Sequence, residues 1–218
     1  MITKNNFINY NVYEPVDQIF IVKNFLYSDE INELLNFINN VDEQLWHEEY
    51  LRNLKPFCMQ KFGRDDVENL VKEGLFEITQ NWHDKIIMIQ NRKETDHIFK
   101  KIHERLNLLF DDTLIIKHSG NNTIQRMQPG VELKSHTDQD TDPSITHASI
   151  IYLNDDYIDG ELYFVNKDYK VKPEPGTLII FPGTKEYEHG VKTVGDGPIR
   201  YVLPGFIHYK NFYSDKKY

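Results

Sequence analysis

Apolar and polar positions follow two different rhythms in this chain, and the change falls near residue 110. After a polar lead-in, Gln18-Ile19-Phe20-Ile21-Val22 reads as a short strand. Ser28 or Asp29 then offers an N-cap to a helix with Ile31, Leu34, Leu35 and Ile38 on one face. No period is visible from about Asp42 to Asp65, where Trp46, Tyr50, Phe57 and Phe62 are scattered among charges. That stretch is read as a long surface connection, with a lid as the alternative. Between Asp65 and about Met88, Val67, Leu70, Val71, Leu75 and Ile78 sit at helical spacing but Gly74 interrupts them, so a broken helix is expected. A firmer helix is expected from about Thr95 to Phe110, where Ile98, Ile102, Leu106 and Leu109 recur every three or four residues.

Beyond Asp111 the pattern shortens to β-rich runs separated by turn residues: Thr113 to His118, Thr123 to Gln128, His147 to Leu153, Glu161 to Val165, Thr177 to Phe181 and Ile199 to Ile207. Hairpin-like connections between such runs predict an antiparallel sandwich or an open barrel. The preceding helices need a sheet to bury their apolar faces, so the break near residue 110 does not divide two domains. The expectation is one domain over residues 1–218, with 1–110 as mainly helical support and 111–210 as the β-rich core. A length of 218 residues suits a single core of that size.

Composition narrows the chemistry. A formal charge of −9 disfavours binding a nucleic-acid backbone by bulk electrostatics. The single cysteine, Cys58, forms no internal disulfide and cannot build a thiolate metal site, so any metal must be held by nitrogen and oxygen. With no long apolar window and no apolar stretch at the start, a soluble, cytoplasmic protein without membrane partners is the expectation.

The strongest chemical clue is Lys134-Ser135-His136-Thr137-Asp138. On extended backbone, positions two apart direct their side chains to one face. The pair alone is weak; its value comes from His189-Gly190-Val191, which follows the strand-like Thr177–Phe181 and a turn at Pro182-Gly183. If the sheet brings His189 to the first pair, two imidazoles and a carboxylate occupy one face of an octahedral metal and leave three positions open, the arrangement of non-haem Fe(II) oxygenases. Arg200 follows at the start of a β-like run. An interior guanidinium needs an anion, and its planar fork suits a carboxylate.

Taken together, His136-Thr137-Asp138, Ile151-Tyr152-Leu153-Asn154, Gly160-Glu161-Leu162, Pro175-Gly176-Thr177 and His189-Gly190-Val191 with Arg200 resemble the 2-oxoglutarate and Fe(II)-dependent dioxygenase family, in its prolyl 4-hydroxylase-like branch. The resemblance is dense from about residue 123 to 207 and weaker over the N-terminal strand and helix. It implies a double-stranded β-helix, a cupin-like jelly roll, backed by the N-terminal helices. It also implies His136, Asp138 and His189 as iron ligands, and Arg200 as the partner of the distal carboxylate of 2-oxoglutarate. Oxidative decarboxylation of that cosubstrate by dioxygen, giving succinate and carbon dioxide, would be coupled to hydroxylation of an unactivated C–H bond, with ascorbate as a stimulant. Because Asp138 is present, hydroxylation is favoured over halogenation. The branch implies a prolyl residue in a peptide or protein as substrate. The alternatives are a free amino acid or other small metabolite, and a non-enzymatic jelly-roll binding module.

Two departures qualify the match. Met127 stands where this branch often carries a tyrosine that helps hold the cosubstrate carboxylate, and Tyr152 and Thr177 are the candidates to compensate. The interval from His189 to Arg200 is one residue longer than the common pattern, with Lys192 as the fallback anion partner. His147 is read as a packing or loop residue, with lining of the pocket as the alternative, and His83, His97, His103, His118 and His208 carry no pattern. Asp140, Asp142, Asp155, Asp156 and Asp159 form an acidic run, read as a solvated rim or as an attractor for a basic peptide. Trp46, Tyr50 and Tyr157 are candidates for a platform under a substrate peptide. The sequence does not specify an oligomeric state.

Overall fold

The computed structural model describes residues 10–42, 46, 86–90, 92–109, 114–116 and 123–209. Apart from Trp46, the expected connection after Asp42 lies outside the described residues, as does the expected broken helix up to its last few residues. Two antiparallel sheets stack, and helices cover the outer face of the larger one.

The eight-stranded sheet runs β1 (Asn11–Val16), β2 (Ile19–Lys23), β10 (Leu178–Pro182), β7 (Ile145–Tyr152), β12 (Arg200–Tyr209), β5 (Thr123–Met127), β3 (Ile86–Gln90), with β4 (Leu114–Ile116) on the far end of β12. The four-stranded sheet runs β6 (Leu133–His136), β11 (His189–Val191), β8 (Leu162–Phe164), β9 (Tyr169–Val171). Two helices, α1 (Ser28–Asn40) and α2 (Asp96–Leu109), support the large sheet, and a one-turn α3 (Asp138–Thr141) follows β6. No described helix is long and apolar enough to cross a membrane.

Alternation along the central strands explains the layers. Phe20, Val22, Leu178, Ile180, Ile151 and Leu203 face the helices, where they meet Leu34, Ile38, Ile98, Ile102 and Leu106. The intervening Ile19, Ile179, Phe181, Tyr152 and Val202 face the small sheet and meet Leu162, Phe164 and Val191. The α1 and α2 stripes are those expected from periodicity. Glu30 and Arg105 join the two helices: the guanidinium donates to both carboxylate oxygens at 2.7 and 2.8 Å and to the Phe25 carbonyl at 2.9 Å. Burial pushes the Glu30 carboxyl up, but Arg105 and the Tyr27 amide outweigh it and leave it below the usual carboxylate range.

The structure corrects several expectations. The N-cap of α1 is Tyr27, not Ser28 or Asp29, and its amide donates to Glu30 Oε2 at 3.0 Å. Residues 86–90 are strand, so the broken-helix reading cannot extend to Met88. Strand β2 stands where the sequence expects one, but β1 and β3, which it did not single out, also precede residue 110 and join the large sheet. Trp46 and Tyr157, each 1% exposed, are buried and present no surface platform; Tyr50 lies outside the described residues.

Candidate metal centre

The small sheet assembles the site. In it β6 and β11 pair antiparallel with His136 opposite His189, which brings the two rings to 4.6 Å between centroids. Gly190 permits this closeness, because a Cβ there would lie 2.5 Å from the Leu133 carbonyl oxygen and 2.6 Å from the Tyr163 hydroxyl. Thr137 stays extended, and Asp138 then opens α3 instead of continuing a strand as expected. Its side chain still meets both imidazoles: His136 Nε2 lies 3.7 Å from Oδ1 and His189 Nε2 lies 4.0 Å from Oδ2. One ligand atom from each of the three residues falls within 4.8 Å of the others.

The orientation of the rings is fixed from behind. His136 Nδ1 lies 3.0 Å from the Lys134 carbonyl and His189 Nδ1 lies 3.1 Å from the Tyr187 carbonyl, contacts that hold the proton on Nδ1 and leave each Nε2 lone pair for a ligand. Phe181 and Phe164 wall His189 at 4.5 and 6.1 Å. Burial pushes the His189 imidazole down to about 3 and the Asp138 carboxyl up to about 6, the latter against the pull of His136. Asp138 Oδ2 is buried with no hydrogen-bond partner among the described residues. A neutral imidazole, a second imidazole and a buried carboxylate with an unsatisfied oxygen fit a divalent cation with nitrogen and oxygen preference.

Arg200 occupies the same inter-sheet layer at the start of β12, opposite Met127 on β5, and is 1% exposed. Its Nη1 lies 3.3 Å from Met127 Sδ, its Nη2 donates to the Tyr152 hydroxyl at 3.1 Å, and its Nε has no partner. Among the described residues no carboxylate pairs with it. A buried guanidinium whose acceptors are a thioether and a phenol is set up for an incoming anion.

Of the residues proposed to help Arg200, Tyr152 is in contact and its hydroxyl is pushed up by burial despite the guanidinium beside it. Thr177 is buried just before β10, but no described hydrogen bond joins its side chain to Arg200. Lys192 is exposed, with its ammonium 4.4 Å over the Tyr163 ring, and does not compete with Arg200 for the interior. His147 lies within β7 on the face shared with Ile151, away from the small sheet. Two members of the acidic run serve local turns: Asp142 accepts from the Ser144 amide at 2.9 Å, and Asp156 accepts from Asn154 Nδ2 at 2.7 Å. Tyr157, expected as a surface platform, turns inward instead, and its ring centroid lies 5.9 Å from the Arg200 guanidinium carbon. Nothing in the Asn154-Asp155-Asp156 turn signals that the next residue turns inward.

The comparisons agree with this geometry. Residues 122–208 match the family model described as the 2OG-Fe(II) oxygenase superfamily. The match covers the β-rich part of the chain, which carries both the triad and Arg200. A curated relative, a putative prolyl 4-hydroxylase of Acanthamoeba polyphaga mimivirus, is 23% identical over 190 residues, covering 82% of this chain; the chain spans 66% of that relative's length. A prolyl hydroxylase from Trichoplax adhaerens, solved in complex with a hypoxia inducible factor oxygen degradation domain peptide fragment, superposes with a TM-score of 0.61 at 16% identity, covering 93% of this chain and 89% of that one. The viral collagen prolyl hydroxylase from Paramecium Bursaria Chlorella virus-1, in its 2OG complex, gives 0.54 at 19% identity, covering 88% and 96%. These likenesses establish the double-stranded β-helix with its helical backing.

Proposed function

We propose that residues 1–218 form one Fe(II)- and 2-oxoglutarate-dependent dioxygenase domain that hydroxylates a prolyl residue in a peptide or protein. The observation that carries the proposal is the pairing, in one inter-sheet layer, of the His136–Asp138–His189 cluster with a buried Arg200 that lacks an acidic partner among the described residues. His136, Asp138 and His189 would hold the iron, and Arg200 with Tyr152 would hold the distal carboxylate of 2-oxoglutarate. With dioxygen, the bound iron and cosubstrate supply oxidative decarboxylation to succinate and carbon dioxide, coupled to oxygen insertion into a C–H bond.

The protein's own contribution is placement. The Lys134 and Tyr187 carbonyls fix the imidazoles, and Phe164 and Phe181 exclude water from the buried side of His189. Arg200 and Tyr152 select an acid with a second carboxylate. The prolyl assignment draws support from the mimivirus relative and from the two prolyl hydroxylases that share the fold. A cytoplasmic setting and stimulation by ascorbate belong to the same reading; a chain with one cysteine has no internal disulfide to protect.

The test is incubation with Fe(II), 2-oxoglutarate, dioxygen and a panel of proline-containing peptides, read by succinate release and peptide mass. The proposal expects one added oxygen atom on a prolyl residue for each succinate formed above the peptide-free rate. Oxygen insertion into a free amino acid, with every peptide unmodified, would replace the peptide substrate by a small metabolite.

A further inference from the structure

The acceptor-only sulfur of Met127 faces Arg200 where an incoming carboxylate would need hydrogen-bond donors. Tyr152 offers one hydroxyl, since its oxygen accepts from Arg200 and its own proton remains to be given. A second buried hydroxyl lies in the same neighbourhood. Tyr157 arrives from the turn between β7 and β8, its side chain is 1% exposed, and its hydroxyl has no hydrogen-bond partner among the described residues. A phenol desolvated without a partner is unfavourable, and the surroundings hold it there. The Lys172 ammonium donates to the Tyr157 carbonyl and lies 4.4 Å over its ring. Gly160, at φ +67°, packs so tightly that a Cβ there would sit 3.2 Å from the same ring.

We propose that Tyr157 is the second hydroxyl donor to the distal carboxylate of the dicarboxylic 2-oxo acid, supplied from the β7–β8 turn because Met127 fills the strand position with a thioether. The inference rests on the 2-oxoglutarate reading given above. Burial pushes the Tyr157 hydroxyl up to about 12, against the pull of Arg200, so the phenol keeps its proton and donates to the anion. Two phenols and a guanidinium then converge on the carboxylate, and the orphaned Tyr157 hydroxyl and Arg200 Nε both gain an acceptor nearby.

The experiment is calorimetric titration of the Mn(II)-loaded protein without oxygen, comparing 2-oxoglutarate with 2-oxovalerate, which keeps the 2-oxo acid head and lacks the distal carboxylate. Tyr157→Phe is expected to weaken 2-oxoglutarate binding about tenfold or more, the usual size for a hydrogen bond to a charged group, and to leave 2-oxovalerate binding within about twofold. The melting temperature of the ligand-free variant should not fall, because the lost hydroxyl has no partner to leave behind. Equal weakening of both acids, unchanged 2-oxoglutarate affinity, or a lowered ligand-free melting temperature would each overturn the assignment. Failure of the wild-type protein to bind 2-oxoglutarate would overturn the dioxygenase reading as well, whereas tight wild-type binding with an unaffected variant removes Tyr157 alone.

Discussion

Replacing Arg200 with Met should separate stability from ligand binding in opposite directions. In the ligand-free protein the guanidinium is buried with only Met127 Sδ and the Tyr152 hydroxyl as acceptors among the described residues, and its Nε has none there. Desolvating an unpaired charge costs several kcal/mol, whereas the two neutral contacts return about 1 kcal/mol each. An apolar side chain of similar length removes the penalty and leaves the Tyr152 hydroxyl short of one donor. The net expectation is a gain of about 0–3 kcal/mol, equivalent to a melting temperature unchanged or raised by up to roughly 10 °C in a domain of this size. The wild type should gain about 2.7 kcal/mol from 2-oxoglutarate at a hundred times its dissociation constant, and Arg200→Met should gain almost nothing at the same concentration. Urea unfolding of both proteins, with Mn(II) and with or without 2-oxoglutarate, reads all four stabilities. A ligand-free loss of about 3 kcal/mol or more would refute the reasoning, since it is the signature of breaking a buried ion pair and would mean that a carboxylate of the protein already neutralises Arg200.

Three other predictions test separate parts of the framework. Gly190→Ala should push β11 from β6 at the Leu133 carbonyl and the Tyr163 hydroxyl, lowering stability by about 1–3 kcal/mol and weakening Mn(II) binding in calorimetry; unchanged metal affinity would show that the His136–His189 spacing tolerates the extra methyl. Arg105→Leu should destabilise by about 2–3 kcal/mol, because among the described residues the buried Glu30 keeps only Lys101 at 3.7 Å and the Tyr27 amide, and adding Glu30→Leu should recover part of that loss in denaturant melts; a single variant as stable as the wild type would contradict the pairing. Burial holds the His147 imidazole down at about 4, below its ordinary value near 6.5, so the neutral form favours the folded state. Its contribution is fully present above pH ~6.5 and is lost as the pH falls toward 4, with a slope approaching about 1.4 kcal/mol per pH unit. His147→Gln should flatten that slope in urea midpoints, and identical slopes would place the acid sensitivity elsewhere.

How much of this was legible in the sequence depended on whether a residue's environment was written in its neighbours. Strands β7, β10 and β12 are largely buried on both faces, and the apolar stretches at Ile150-Ile151-Tyr152, Leu178–Pro182 and Tyr201-Val202-Leu203 announce them, as the α1 and α2 stripes do by their period. Strand β1 contains Pro15 and lies at a sheet edge, which lets its pattern dissolve into polar residues. Strands β6 and β11 are short, and Leu133-Lys134-Ser135-His136 is mostly polar because it lies at the edge of the small sheet. These two strands were located by their chemistry, through His136 and His189, not by hydropathy. Strand alternation places His189 and Arg200 in the inter-sheet layer, whereas Asp138 reaches the imidazoles from the first turn of α3, where a period of two does not apply. Tyr157 could not be anticipated, because a turn residue has no period and its inward direction is decided by Lys172, Gly160 and Val194 from elsewhere in the fold.

In the proposed function His136, Asp138 and His189 hold iron while Arg200 receives the far end of a chelating 2-oxo acid. Anaerobic titration of Fe(II) into the protein with 2-oxoglutarate tests it most directly, through the visible charge-transfer absorption of a chelated 2-oxo acid complex. A saturable band is expected in the wild type, absent in Asp138→Ala and needing a higher 2-oxoglutarate concentration in Arg200→Met. No band in the wild type, or a band of full strength in Asp138→Ala, would contradict the proposed function.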